Sequence, residues 1–327
     1  MGIAALGVAT SIGAVAAAGS ALVRADRRRE SDDGAGELGM PDDLVHHEIA
    51  TSDGGRVHAV ERGEGRPIVL LHGVTLTHEI WPYQLRSLAG SGHRVIAVDQ
   101  RSHGHSTAGS TGTSLDAMVR DLGEVLETLD LRGVVLVGHS MGSMVAIDFT
   151  ARLHAVAKRR VAALALIGAT AHAPAVTRRL AVAAGAFELG TKAMHSRSMT
   201  LLPPGDLGYL MARWAFGVRP DQHQVDLTRD ISGAMSPLRF GELIPSILGF
   251  DDRNLLPRID VPALVTIGPV DRILPPSCHR LLAARIPSVR RLELPGCGHM
   301  PMLERHEELD SALIELSASL PAMARAA

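Results

Sequence analysis

The stretch VVLVGHSMGS, residues 134–143, decides the fold. It opens with four β-formers, Val134-Val135-Leu136-Val137, and then changes character within one peptide unit to Gly138-His139-Ser140-Met141-Gly142. A strand that turns sharply into a helix forces its corner residue into a strained backbone conformation, and only small neighbours let other chain segments pass close by. Gly138 and Gly142 supply that smallness. A serine at the corner points its hydroxyl out of the sheet, while the N–H groups of the helix start behind it lack intrahelical acceptors and can face developing negative charge. Ser140 is therefore the candidate nucleophile.

On either side of this corner, apolar and β-branched runs recur at 68–71 (IVLL), 94–98 (RVIAV), 161–167 (VAALALI), 261–267 (VPALVTI) and 289–294 (VRRLEL). Continuous runs of this kind suit strands buried on both faces. Helical patterns lie between them, as at 114–131, where Leu115, Met118, Leu122, Val125, Leu126 and Leu129 share one face. The alternation predicts an α/β fold with a mostly parallel sheet and right-handed crossovers. Ahead of it, residues 46–65 carry two short runs around Asp53-Gly54-Gly55 and predict an N-terminal β-hairpin. From Ile167 to Val261 the chain shows helical patterns and no convincing strand, which predicts a helical cap at 172–246 inserted between core segments 46–171 and 247–321. Ligand sites in open parallel sheets lie at the strands' carboxyl ends, where such a cap would sit.

Each partner that a serine nucleophile needs has a candidate at another strand end. Asp271 follows VPALVTI within Gly268-Pro269-Val270-Asp271-Arg272, and His299 follows VRRLELP, just before a helix that Pro301 could open. A serine hydroxyl is a poor nucleophile alone, so an imidazole must take its proton and a buried carboxylate must fix that imidazole's tautomer. Attack on a carbonyl also creates an oxyanion that preorganised donors must hold. The backbone N–H groups of Met141 and of Val74, in Leu70-Leu71-His72-Gly73-Val74, are the candidates, with His72 and Gly73 shaping that loop. Trp81 and His78 follow the loop and are candidates to touch substrate, with packing of the first helix as the alternative role of Trp81. In the insertion, Tyr209, Met211, Trp214 and Phe216 either contact an acyl chain or hold the insertion together.

The whole-chain properties narrow the partner. With 33 Lys+Arg against 35 Asp+Glu there is no global field that argues for nucleic acid, so a small molecule is expected. Cys278 and Cys297 give neither a disulfide framework nor metal-ligand spacing. His103 and His105 in SHGHS have no carboxylate-rich cluster beside them and read as structural, so no metal and no cofactor is expected. Residues 2–23 carry no charge over a length that would cross a bilayer as a helix, and Arg24, Arg27, Arg28 and Arg29 follow at once. Segment 1–29 is thus expected to be a membrane anchor that keeps the following chain in the cytoplasm. A cleaved signal and a peripheral or soluble helix remain the alternatives, the first lacking positive charge before its apolar stretch. Residues 30–45, acidic and Gly-rich, read as a linker.

Taken together, LLHGV at 70–74, DQRSHGHS at 99–106, GHSMG at 138–142, GPVDRILP at 268–275 and GCGHMPMLER at 296–305 resemble the α/β-hydrolase superfamily, as does the order Ser140, Asp271, His299. The resemblance covers about residues 46–320 and is strongest to serine esterases and monoglyceride-lipase-like members with a helical cap. Ser102 and Ser143 depart from it, each standing where glycine is usual. The resemblance implies a carboxylic-ester hydrolase acting through an acyl-enzyme on lipid-like or small acyl esters. Perhydrolase or cofactor-free haloperoxidase activity, lactone hydrolysis and carbon–carbon bond hydrolysis use the same triad, and a ligand receptor on the same scaffold is the non-enzymatic alternative.

Overall fold

The computed structural model describes residues 23, 38–152, 154–174, 200–203 and 205–322. Eight strands form one sheet: β1 Val45–Ala50, β2 Arg56–Arg62, β3 Arg66–Leu71, β4 His93–Val98, β5 Val134–His139, β6 Val161–Ile167, β7 Ala263–Ile267 and β8 Val289–Glu293. Their order in space is β1-β2-β4-β3-β5-β6-β7-β8. β1 and β2 make the expected hairpin, with Ala50 opposite Arg56 and Gly54 at φ 85° in the turn. β2 runs antiparallel to β4, and every pair from β4 to β8 is parallel. β7 starts at Ala263 rather than at the expected 261, because Pro262 has no N–H to give to a ladder.

The helices are α1 Pro82–Gly90, α2 Leu115–Thr128, α3 Met141–Arg152, α4 His154–Arg160, α5 Asp206–Arg213, α6 Gln222–Ala234, α7 Pro237–Gly249, α8 Pro276–Arg285, α9 Pro301–Glu304 and α10 His306–Ala318. Side chains along a strand alternate between faces, so a central strand feeds two apolar layers. In β5, Val134 and Leu136 join Leu122 and Val125 of α2 and Met144 of α3. Val135 and Val137 join Leu85 and Leu88 of α1 and Leu309 and Leu313 of α10 on the other side. The parallel strands thus end together on one edge of a sheet covered on both faces. That edge is where Ser140, Asp271 and His299 leave β5, β7 and β8.

Between β6 and β7 the chain makes its long excursion. Its base is closed by an antiparallel bridge between His172 and Asp251, with Asp252 N–H donating to Ala171 O at 2.8 Å and Ala173 N–H to Phe250 O at 3.2 Å. α5, α6 and α7 belong to this excursion, and α7 runs past the expected boundary at 246 to Gly249. Residues 175–199 of the expected cap lie outside the described residues.

The N-terminal part differs in detail from the linker expected at 30–45. Leu38 is buried, Met40 and Leu44 pack on the α1 and α10 layer, and β1 already begins at Val45. These three apolar residues anchor a stretch whose Gly, Pro and Asp content resembles a free connector. The expected anchor at 2–23 and the four arginines after it lie outside the described residues, Val23 excepted, which is buried in the same layer. Among the described residues no helix is long and apolar enough to cross a membrane.

Candidate active site

Ser140 closes β5 with φ 52°, in the left-handed region that costs an L-residue about 1–2 kcal/mol. Its surroundings impose the corner. Ser140 N–H still donates to Ile167 O of β6 at 3.0 Å, whereas Ser143 N–H already donates to Ser140 O at 2.9 Å as the helix begins. Ser143 Oγ donates to the same carbonyl, so the hydroxyl where glycine is usual helps to bind the first turn of α3. Gly142 N–H donates to His72 O at 3.1 Å, and a Cβ on Gly142 would lie 2.7 Å from that oxygen. A Cβ on Gly138 would lie 2.7 Å from Ser143 Cα. Only glycine at both positions lets β5, α3 and the loop after β3 meet this closely.

The loop after β7 places Asp271 with Oδ1 accepting from Ile273 N–H and Leu274 N–H at 2.8 Å each. Oδ2 faces His299 Nδ1 at 2.7 Å, with both side chains buried. A carboxylate only accepts, so Nδ1 carries the hydrogen and Nε2 is left as the basic nitrogen. Burial acts to raise the Asp271 carboxyl, but attraction to His299 and the hydrogen bond from it prevail and hold it below the usual carboxylate range.

Several residues without an assigned role in the sequence hold this imidazole. His299 N–H donates to Ala215 O at 2.6 Å, and its carbonyl lies 2.8 Å from His139 Nε2. Glu304, the half-buried last residue of α9, accepts from Gly217 N–H at 2.6 Å, Gly298 N–H at 3.0 Å and Met300 N–H at 3.2 Å. It therefore binds the loop on both sides of His299 to the turn that follows α5. His279 of α8 comes within 3.5 Å of Asp271 Oδ2 through Nε2, and burial pushes its pKa down to about 4, so it stays neutral.

The loop after β3 is fixed by His72. Its Nε2 accepts from Gln100 N–H at 3.0 Å, so Nδ1 is the donor to Gly73 O at 2.7 Å. Burial lowers the pKa of His72 to about 3, as it does that of His139, and both rings are neutral fixtures. Among the described residues neither Val74 N–H nor Met141 N–H has a backbone acceptor.

A cavity of about 470 Å³ joins these elements. Gly73, Val74, His139, Ser140, His299 and Met300 line it from the core, and Leu201, Leu202, Met211, Ala212, Ala215 and Phe240 from the excursion. Thr75, Thr228 and Ser232 are its polar points, with Thr75 Oγ1 and Ser232 Oγ 3.0 Å apart.

Four of the expected substrate contacts stand outside the cavity lining. Trp81 is wholly buried in the α1 layer, its ring edge-on to His139 at 6.5 Å, because an indole next to α1 finds more apolar area there than at the cavity. Tyr209 is buried within the same layer, while its neighbours Met211 and Ala212 turn to the cavity. Trp214 stands 55% exposed beneath the Arg272 guanidinium, 5.5 Å from the ring centre. His72 sits behind the cavity wall rather than in it.

The sequence profile of the α/β hydrolase fold family matches residues 66–306. The chain is 31% identical over 276 residues to the AB hydrolase superfamily protein YisY of Bacillus subtilis, covering 84% of this chain and 99% of that protein. It is 45% identical over 92 residues to the non-heme chloroperoxidase CPO-A1 of Kitasatospora aureofaciens, a match spanning 28% of this chain and 34% of that protein. A thermophilic esterase from Thermogutta terrifontis superposes with a TM-score of 0.69 at 26% identity, over 83% of this chain and 97% of the esterase.

Proposed function

Because the chain belongs to the α/β hydrolase fold family, we propose that it is a serine hydrolase that cleaves carboxylic esters through an acyl-enzyme. The reading is carried by one arrangement: a serine held at φ 52° and an imidazole bonded at 2.7 Å to a buried carboxylate line the same cavity. Ser140 Oγ attacks the acyl carbon while His299 Nε2 takes its proton. Asp271 keeps the hydrogen of His299 on Nδ1 and stabilises the imidazolium that forms. The N–H groups of Val74 and Met141 receive the oxyanion, each donor being worth roughly a hundred- to a thousand-fold in rate. The alcohol leaves with the proton from His299, and water then attacks the acyl-enzyme by the same base.

The cavity lies within the roughly 300–1,000 Å³ usual for small-molecule sites, and its mostly apolar wall suits the acyl part of the ester. α5, α6 and α7 serve as the cap over it. Turnover of p-nitrophenyl esters of graded acyl length, with Ser140→Ala as control, tests the proposal. Hydrolysis lost in the variant supports it, and equal rates in both chains refute it.

Perhydrolysis is the second reading, favoured by the likeness to a non-heme chloroperoxidase. There hydrogen peroxide replaces water in the second step on the same three residues. Comparing peracid with acid formation from one acyl ester distinguishes the two. Membrane association through residues 2–23 is a separate part of the proposal: the full chain should sediment with membranes after a salt wash, and a chain lacking residues 1–29 should not.

A further inference from the structure

Away from the cavity, histidines from four parts of the chain gather around one buried carboxylate. Asp99, one residue beyond β4, is fully buried. His58 of β2 approaches its Oδ2 through Nδ1 at 3.1 Å, and His78, in the turn after the Val74 loop, approaches its Oδ1 through Nδ1 at 3.0 Å. Both rings are more than nine-tenths buried. His46 of β1 lies behind His58, with Nδ1 3.1 Å from His58 Nε2, and the His105 ring centre is 4.9 Å from that of His58.

We infer that His58, His78 and Asp99 form a binding site for a divalent first-row transition ion that favours imidazole, such as Zn²⁺ or Co²⁺. One potential ligand atom from each residue lies within 4.8 Å of the others. Ligands about 2.0–2.2 Å from a tetrahedral ion stand roughly 3.3 Å apart, close to the 3.1 Å and 3.0 Å at which His58 Nδ1 and His78 Nδ1 face Oδ2 and Oδ1 of Asp99. Two imidazoles and a carboxylate are the donor set of three-ligand zinc sites, with water in the fourth position.

The supporting groups are also in place. A histidine bound to an ion through Nδ1 carries its hydrogen on Nε2 and needs an outer acceptor to fix its ring, which His46 Nδ1 provides for His58. Asp99 is oriented by two backbone donors, His78 N–H at 2.7 Å on Oδ1 and His105 N–H at 3.0 Å on Oδ2. An ion there would tie β2, the end of β4 and the turn that follows the Val74 loop, three segments far apart in sequence.

The opposing account is a carboxylate that merely accepts two imidazole N–H groups and holds no metal. The full chain, stripped with a chelator, separates the two when titrated with Zn²⁺ by calorimetry and with Co²⁺ by visible absorption. One ion per chain is expected, with affinity falling at least tenfold in His58→Gln and in His78→Gln, and with Zn²⁺ raising the wild-type melting temperature in a chelator-reversible way. No binding by the wild type, or binding unchanged in the doubly substituted chain, overturns the inference. Should the variants fail to fold, anomalous diffraction from a Zn²⁺-soaked wild-type crystal decides it. A peak beside both Nδ1 atoms supports the site, and a peak only elsewhere, or none, refutes it.

Discussion

His139 Nε2 lies 2.8 Å from the carbonyl oxygen of His299, so the residue before the candidate nucleophile grips the residue that would activate it, across 160 positions of sequence. The carbonyl can only accept, so Nε2 carries the hydrogen. Burial lowers the pKa of this ring to about 3, so the bond persists at any working pH. Substituting His139→Phe keeps a ring of similar shape but leaves the His299 carbonyl without its donor. The expected result is a loss of about 1–2 kcal/mol in stability and about tenfold in kcat, with KM little changed, measured by thermal melting and ester kinetics.

Asp271→Asn tests the tautomer argument. The amide can keep Oδ1 as acceptor for Ile273 and Leu274, but it presents N–H₂ to His299 Nδ1 and so favours the hydrogen on Nε2, where it blocks proton uptake from Ser140. kcat should fall about 10³- to 10⁴-fold while circular dichroism stays that of the parent. A fall of less than tenfold would mean that Asp271 does not set the tautomer.

Two glycines should respond in opposite directions. In Gly142→Ala the new methyl would meet the His72 carbonyl at 2.7 Å, a backbone contact that cannot swing aside, so a stability loss of about 1–3 kcal/mol and displacement of the Val74 loop are expected. In Gly123→Ala, within α2, the methyl would touch only the Phe149 ring at 3.6 Å, and the helix should gain about 0.5–1 kcal/mol. Denaturant midpoints of both variants check the pair.

Asp310 of α10 carries a pH prediction. Its Oδ1 accepts from Gln84 Nε2 at 2.9 Å, Oδ2 has no partner among the described residues, and burial pushes its pKa up to about 6. The folded chain therefore holds a proton that the unfolded chain has already released above about pH 4. Stability conferred by that proton is complete below the unfolded value and is lost as pH rises towards 6. Asp310→Asn should melt at the parent's temperature near pH 4 and be about 1–3 kcal/mol more stable at pH 7. Equal stability at both pH values would contradict this.

Much of the frame is legible in the residues because buried parallel strands must be apolar on both faces. VAALALI marks β6 end to end, and the runs at 94–98 and 134–137 fall inside β4 and β5. Strand ends then name Ser140, Asp271 and His299 without any knowledge of pairing. Ser102 also explains itself once its backbone is known: φ 65° is a conformation that glycine adopts more easily, and its hydroxyl is 2.6 Å from Thr113 Oγ1. The supporting contacts were not readable, since Glu304, His139 and His279 act through partners that only the folded chain brings near. The same holds for the Asp99 cluster, whose histidines lie 21 and 41 positions from the carboxylate. Trp81, Tyr209 and Trp214 mislead for a related reason: an aromatic side chain near a site is apolar enough to face either the cavity or the core, and packing decides between them.

The most direct measurement is labelling of the full chain with a fluorophosphonate, which reacts readily only with an activated serine. One adduct per chain on the peptide containing Ser140, abolished in Ser140→Ala and strongly slowed in His299→Ala, is the predicted result. An unlabelled wild-type chain, or an adduct on another serine that persists in Ser140→Ala, would contradict the assignment of Ser140 as nucleophile.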